Sequence, residues 1–171
     1  MNMKDLHNFF LNELNLMYDG EKQIVKALPN VIKAAHSPKL KEALRHHLEE
    51  TKNQVVRLET IFEELGQVPS RIASKAMERL LEEADKVIHS DYTTIVKDAA
   101  IINCAQHVEH FEIATYGTLK SLAKNFKLDN IHKLLEENSK EEGNANKKLT
   151  EIAEGTFFEK GINAKAYGRA A

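Results

Sequence analysis

The sequence predicts an all-α fold: a bundle of four long helices with one long crossover that carries an additional short helix. Three observations predict it. Breakers are few, with 7 Gly and 3 Pro among 171 residues in a chain rich in Ala, Leu, Glu and Lys, which are strong helix formers. Trp is absent and aromatic residues reach only 6%, fewer than a sheet protein normally packs on its faces. Apolar residues also recur at alternating steps of three and four along four long segments. A chain of this length builds one domain with a substantial core and is short for two.

The elements follow in order. The first helix runs from about Lys4 to Ala35, with Pro29 inside it as a kink point. In "HSPKL", Ser37 reads as an N-cap and Pro38 as the first residue of a second helix. That helix continues to Leu65, where Gly66 suits the C-cap. A shorter helix follows from about Arg71 to His89, carrying "AMERLLEEADKVI". Asp91 can cap a third long helix reaching Phe126, and Asp129 a fourth ending near Gly155. Residues 1–156 thus form the bundle. The tail 157–171 shows no clear period and reads as a final turn plus a loose end. Two helical hairpins joined by a crossover of roughly 25 residues give the ferritin-like arrangement; an up-down-up-down bundle needs short loops throughout.

Composition excludes some roles. The formal charge is −2 with no basic tract, so nucleic acid is not an expected partner. No apolar run reaches 18 residues and the N-terminus "MNMKDLHNFFLNEL" mixes acids and amides into its apolar run, which suits neither a signal peptide nor a membrane span. The one cysteine, Cys104, makes no internal disulfide and fits a reducing compartment as a small buried residue. A soluble, cytoplasmic protein is expected.

The candidate site comes from the seams. Spaced as a bundle requires, the first helix buries Phe10, Leu14, Met17, Glu21, Ile24, Leu28, Val31 and Ala35. The second buries Leu40, Ala43, His47, Glu50, Gln54, Leu58, Ile61 and Leu65. The third gives Ile102, Ala105, Glu109, Glu112, Tyr116, Leu119, Ala123 and Phe126; the fourth gives Ile131, Leu135, Asn138, Glu142, Ala145, Leu149 and Ile152. Each seam is apolar except at its middle, where each holds a glutamate. Glu21 lies 16 residues before the turn at Ser37 and Glu50 13 after it, roughly 24 and 20 Å along the axis. Glu112 and Glu142 lie 16 before and 14 after Leu128, so both hairpins repeat one plan.

Five glutamates at one height cannot all be bare, because a buried unpaired carboxylate costs about several kcal/mol. Protons, basic side chains or metal ions can neutralise them. The seams hold no Lys, and only Arg57 is near, one turn from Glu50. Two divalent cations would balance four of the five charges. A lone glutamate on such a seam is ordinarily a slip of register with a solvated side chain; five at matched heights on four helices weigh against that reading without closing it. A site that has decayed, its acids protonated and hydrated, is the third reading.

The chain resembles the YciF-type bacterial stress proteins, a ferritin-like family. The matching stretches are "YDGEKQIVKALP", "HLEETKNQVVRLE", "QHVEHFEIATYGTL" and the "EE" with "LTEIA" of the fourth helix. The resemblance implies a dimetal-like centre, kinship to rubrerythrins and ferritins, a homodimer and induction under stress. It implies no substrate. This sequence departs from the Glu-x-x-His pairs of di-iron bundles: the corresponding stretches are "ETKN" and "EGNA". Gln54 and Asn146 stand four residues after Glu50 and Glu142; family members carry an aspartate at the latter position. A shell of carboxylates and amides is hard and suits iron or manganese, with magnesium or calcium as alternatives.

The metal ligands expected are therefore Glu21, Glu50, Glu109, Glu112 and Glu142. Glu50 with Glu112 or Glu142 would bridge two ions, and Glu21 and Glu109 would be terminal. His47, Gln54, His110, Tyr116 and Asn146 are additional or supporting candidates. His47 lies on the seam one turn before Glu50, while His110 sits about 100° around the helix from Glu109. Three readings of function follow. One is a dimetal protein acting on iron, oxygen or peroxide, with its oxidant and electron donor unspecified. Another is a non-enzymatic dimer with a structural or vestigial site. The third is a storage shell, which a dimer would exclude.

Overall fold

The computed structural model describes residues 3–170. Six helices and one short hairpin make up these residues: α1 (Met3–Ala34), α2 (Pro38–Glu64), α3 (Lys75–Ile88), α4 (Thr94–Asn125), α5 (Asp129–Glu154), β1 (Gly155–Thr156), β2 (Glu159–Lys160) and α6 (Ile162–Ala170). α1 packs on α2 and α4 on α5, and α1–α4 and α2–α5 contacts close the bundle. α3 lies along α1 and α4. The ferritin-like four-helix bundle with its long crossover and extra helix is therefore the fold.

The helix ends are set by local chemistry. Ser37 Oγ accepts the Leu40 N–H at 3.4 Å ahead of Pro38, as the sequence predicts. α2 stops in a Schellman motif: Gln67 N–H donates to Phe62 C=O and Gly66 N–H to Glu63 C=O, with Gly66 at φ 63°. α4 ends in the same motif, but the residue at φ 59° is Lys127. Three boundaries differ from expectation. The crossover helix starts at Lys75 rather than Arg71, because Ser70 and Ser74 donate their N–H groups to Asn15 Oδ1 and Asp19 Oδ2 and hold the preceding chain extended along α1. α4 starts at Thr94 behind Thr93, leaving Asp91 exposed before it. Asp129 is the first residue of α5, not its cap, and its charge complements the positive end of the helix dipole there.

The tail also differs from expectation. It is not loose: a tight hairpin leads into α6, whose Ile162 is buried with Ile152, Ala153 and Ile101. Gly155 sits at φ 89°, where a Cβ would meet Glu159 C=O at 2.3 Å, so only glycine fits this turn.

The core has two apolar halves. One contains Phe10, Leu14, Met17, Leu58, Ile61, Leu119 and Leu135. The other contains Ile24, Leu28, Leu44, Met77, Ile101 and Leu149. Between them lies a layer of buried polar residues: Glu21, His47, Thr51, Gln54, Glu109, Glu112, Asn138 and Glu142. A further buried acid, Asp98, accepts the His36 and Ser37 N–H groups at 2.7 Å each. It ties α4 to the α1–α2 turn and so fixes one hairpin against the other.

Candidate metal centre

Each helix of the bundle contributes to the polar layer by its own periodicity. α1 supplies Glu21, α2 supplies His47 and Gln54 seven residues apart, and α4 supplies Glu109, Glu112 and Tyr116 at steps of three and four on one face. α5 supplies Asn138 and Glu142. One ligand atom from each of His47, Glu109, Glu112 and Glu142 lies within 4.8 Å of all the others, and all four residues are buried. That spread matches the coordination sphere of one cation with bonds of roughly 2.0–2.6 Å. His47 Nε2 is 3.5 Å from Glu109 Oε1, and its Nδ1 is 4.0 Å from Glu142 Oε2.

Glu21 completes the acidic set. Its Oε1 accepts the Tyr116 hydroxyl, and its carboxylate neighbours those of Glu112 and Glu142. Glu109 likewise neighbours Glu142. Neighbouring ionised carboxylates offer one another no donor, so the set requires protons or cations. Among the described residues seven buried side-chain polar atoms lack any hydrogen-bond partner: Glu21 Oε2, His47 Nδ1, Gln54 Oε1, Glu109 Oε2, both Glu112 oxygens and Glu142 Oε2. Buried polar atoms are ordinarily satisfied. Seven orphans in one layer, six of them on the acids and the histidine, are a donor set that fits a hard divalent cation.

The electrostatics agree. Burial, and then the neighbouring Glu142 charge, push Glu21 and Glu112 well above the ordinary carboxylate range. Burial and contact with Glu142 do the same to Glu109. Burial and the Glu21 charge push the Tyr116 hydroxyl up. Among the described residues no Lys or Arg pairs with Glu21, Glu109, Glu112 or Glu142. Arg57, which borders the layer through Asn138, is engaged elsewhere: it holds Glu141 through two bonds of 2.7 Å, Glu137 at 2.8 Å and Asn138 Oδ1 at 2.8 Å.

Of the five glutamates expected as ligands, four come together and Glu50 does not. It is half-buried on the rim, 3.0 Å from His46 Nδ1. Thr51 takes the buried position next to it, its hydroxyl satisfied by His47 C=O at 2.8 Å. A bridging Glu50 has no geometric support. His47 is in the cluster. Gln54 donates to Glu142 Oε1 and, at 3.0 Å, to Glu141 Oε2; Tyr116 donates to Glu21. Two candidates lie elsewhere. His110 is exposed, its Nδ1 2.7 Å from Gln106 C=O, and Asn146 accepts from Gln106 at 3.2 Å. Sequence reasoning put Asn138 on the buried seam and Arg57 near it but missed their supporting roles: Asn138 donates to the Tyr116 hydroxyl at 3.0 Å, and the Arg57–Glu141 pair stands behind it. The signals were Asn138 four residues before Glu142 on one helix face and the doubled acid at Glu141–Glu142.

A bundle whose two hairpins enclose a layer of carboxylates belongs to the ferritin-like class of helical proteins. Residues 5–166 match the family model of a domain of unknown function, DUF892. Protein YciF of Escherichia coli (strain K12) is 42% identical over 154 residues, covering 90% of this chain and 93% of that protein. The crystal structure of the E. coli stress protein YciF aligns with a TM-score of 0.84 at 41% identity, over 88% of this chain and 95% of that one. YcfI from Rhodopseudomonas palustris, described as a structural protein, aligns with a TM-score of 0.83 at 42% identity, over 86% and 94% of the two chains. A protein from Xanthomonas campestris pv. campestris shares the fold at 17% identity, with a TM-score of 0.73 over 97% and 98%. The chain belongs to the DUF892 family of YciF-type proteins. Among the described residues no helix is long and apolar enough to cross a membrane.

Proposed function

We propose that this chain is a stress-related metal protein whose polar layer binds two divalent cations, iron or manganese, and acts on iron, oxygen or peroxide. The observation that carries the reading is the set of unpartnered donors on Glu21, Glu109, Glu112, Glu142 and His47. Four carboxylates balance two divalent cations, and acids packed this closely need positive charge among them. Bound iron or manganese would supply two-electron exchange with oxygen or peroxide. The protein's own part is to hold Glu21 through Tyr116 and Glu142 through Gln54, and to exclude water between two apolar halves. The stress role rests on the kinship to E. coli YciF. Homodimerisation and a cytoplasmic location complete the reading, with light scattering as the check on the first.

The test is metal content by mass spectrometry, before and after anaerobic loading with Fe(II) and Mn(II). About two metals per chain, lost in Glu112→Ala while the helical circular dichroism persists, supports the reading. No stoichiometric metal under any loading refutes it. A second reading, a non-enzymatic structural protein, is favoured by the neutral donors Gln54, Tyr116 and Asn138 around the acids and by the structural description of YcfI. It expects full folding and assembly with chelator present and no metal bound.

A further inference from the structure

Two cavities reach the buried centre. The first lies beneath α3, lined by Ile24, Leu28, Val31 and Ile101 with His47 and Glu109 at one side, and has a volume of about 40 Å³. The second is a cleft of about 730 Å³ on the α2–α5 side, with His47 and Glu109 on its wall as well. At roughly 10–15 Å³ of cavity space per water, a cation with six waters needs roughly 60–90 Å³. The first cavity is too small for it, and its apolar wall offers little to replace lost hydration. The cleft admits it whole.

The cleft carries ligands in sequence along its depth. His46 and Glu50, one turn apart on α2, both line it; the His46 side chain is 72% exposed and that of Glu50 19%. Deeper, next to His46 in the chain and about one turn before Glu50, stands His47, and across from it Glu109. His47 Nδ1 and Glu109 Oε2 are buried and have no partner. The lysines that line the cleft are held by other acids, Lys39 by Glu159 and Lys148 by Glu151, so they oppose an incoming cation less than free charges would. The small Ala43 and Ala145 side chains line the space between α2 and α5.

We infer that the cleft is the path by which a hydrated divalent cation reaches the centre, and that His46 and Glu50 form a transfer site along it that passes the ion to His47 and Glu109. The inference rests on the reading that the centre binds metal. It also gives Glu50 a role that its displacement from the ligand cluster otherwise leaves without explanation.

The test uses the full metal-free chain and cobalt(II), whose visible absorption reports its ligands, mixed by stopped flow. Glu50→Gln is expected to slow uptake by about tenfold, the lower end of what focused charge contributes to association rates. Its final stoichiometry and spectrum should equal those of the unmodified protein. His46→Ala should slow uptake as well. Ala145→Phe removes no ligand and should slow it by narrowing the cleft. An unchanged rate in Glu50→Gln overturns the transfer site, and an unchanged rate in Ala145→Phe overturns the path. A lost or altered final spectrum in Glu50→Gln makes Glu50 a resident ligand and overturns the transfer role. If the unmodified protein takes up no cobalt(II), the metal reading and the path fall together, which separates that failure from the others.

Discussion

Replacing Glu112 by glutamine should stabilise the metal-free protein and destabilise the metal-loaded one. Glu112 has no exposed surface, and neither of its oxygens has a partner. Its neighbours Glu21, Glu109 and Glu142 are also acids. Four like charges make six repulsive pairs; removing one leaves three. Glutamine keeps the shape, removes the charge and brings two N–H donors to oxygens that lack them. Relieving uncompensated buried charge in this way is worth about 1–4 kcal/mol, or about 2–4 °C in Tm for each kcal/mol in a chain of this size. The gain depends on pH with a definite sign. Glu21, Glu109 and Glu112 are raised above the ordinary value of 4.5, so the folded protein holds protons that the unfolded chain releases. Their contribution is fully present below that ordinary value and is lost as pH rises through the folded values. Glu112→Gln removes one titrating group, so its advantage should be large at pH 8 and shrink toward pH 5. With metal the order reverses, because binding stabilises only the protein that retains its ligands. The assay is thermal or urea unfolding at both pH values, with EDTA and with Mn(II). A Glu112→Gln variant no more stable than the unmodified protein in EDTA at pH 8 would refute the view that these acids repel one another without compensation.

Three further outcomes are expected. Asp98→Ala removes two charge-assisted bonds to the α1–α2 turn and should cost about 2–4 kcal/mol, read from urea unfolding; the cost should persist when the centre is loaded with metal. Lys127→Gly relieves a side chain held at φ 59° and should stabilise the chain by about 0.5–1 kcal/mol, seen as a higher Tm with helix content unchanged. Protons and cations compete for the same raised carboxylates, so metal affinity measured by calorimetry should weaken steadily from pH 7.5 to pH 5; a flat profile would place the ion elsewhere.

The sequence made most of the site legible. The alternation of three and four on α1 and α4 placed Glu21, Glu109, Glu112 and Tyr116 on buried faces, and all four are buried. Matching heights across each hairpin brought Glu142 to the same layer. The one failure among the glutamates came on α2. From His47, a step of three reaches Glu50 and a step of four reaches Thr51. Both continue a helical seam, and spacing along one helix does not choose between them. The bundle chose Thr51, whose hydroxyl bonds its own helix and asks nothing of the core. His110 and Asn146 failed for the related reason that sequence spacing gives an angle around a helix but not the neighbour that faces it.

The sequence by itself therefore determined the four long helices, their pairing into two hairpins and the height of the polar layer. These follow from local periodicity and from counting residues to a turn, which need no knowledge of the partner helix. Only the tertiary structure decided which side chains at that height meet. The rotation of α2 against α5 buried His47 and left Glu50 on the rim beside His46. The contacts of Arg57 with Glu141 and Asn138, and of Asp98 with the α1–α2 turn, join residues 81 to 84 and 61 to 62 positions apart. A rotation of one helix by a fraction of a turn exchanges one ligand for another at little cost to the apolar seam, so packing between helices, not pattern within them, fixes the chemistry of the centre.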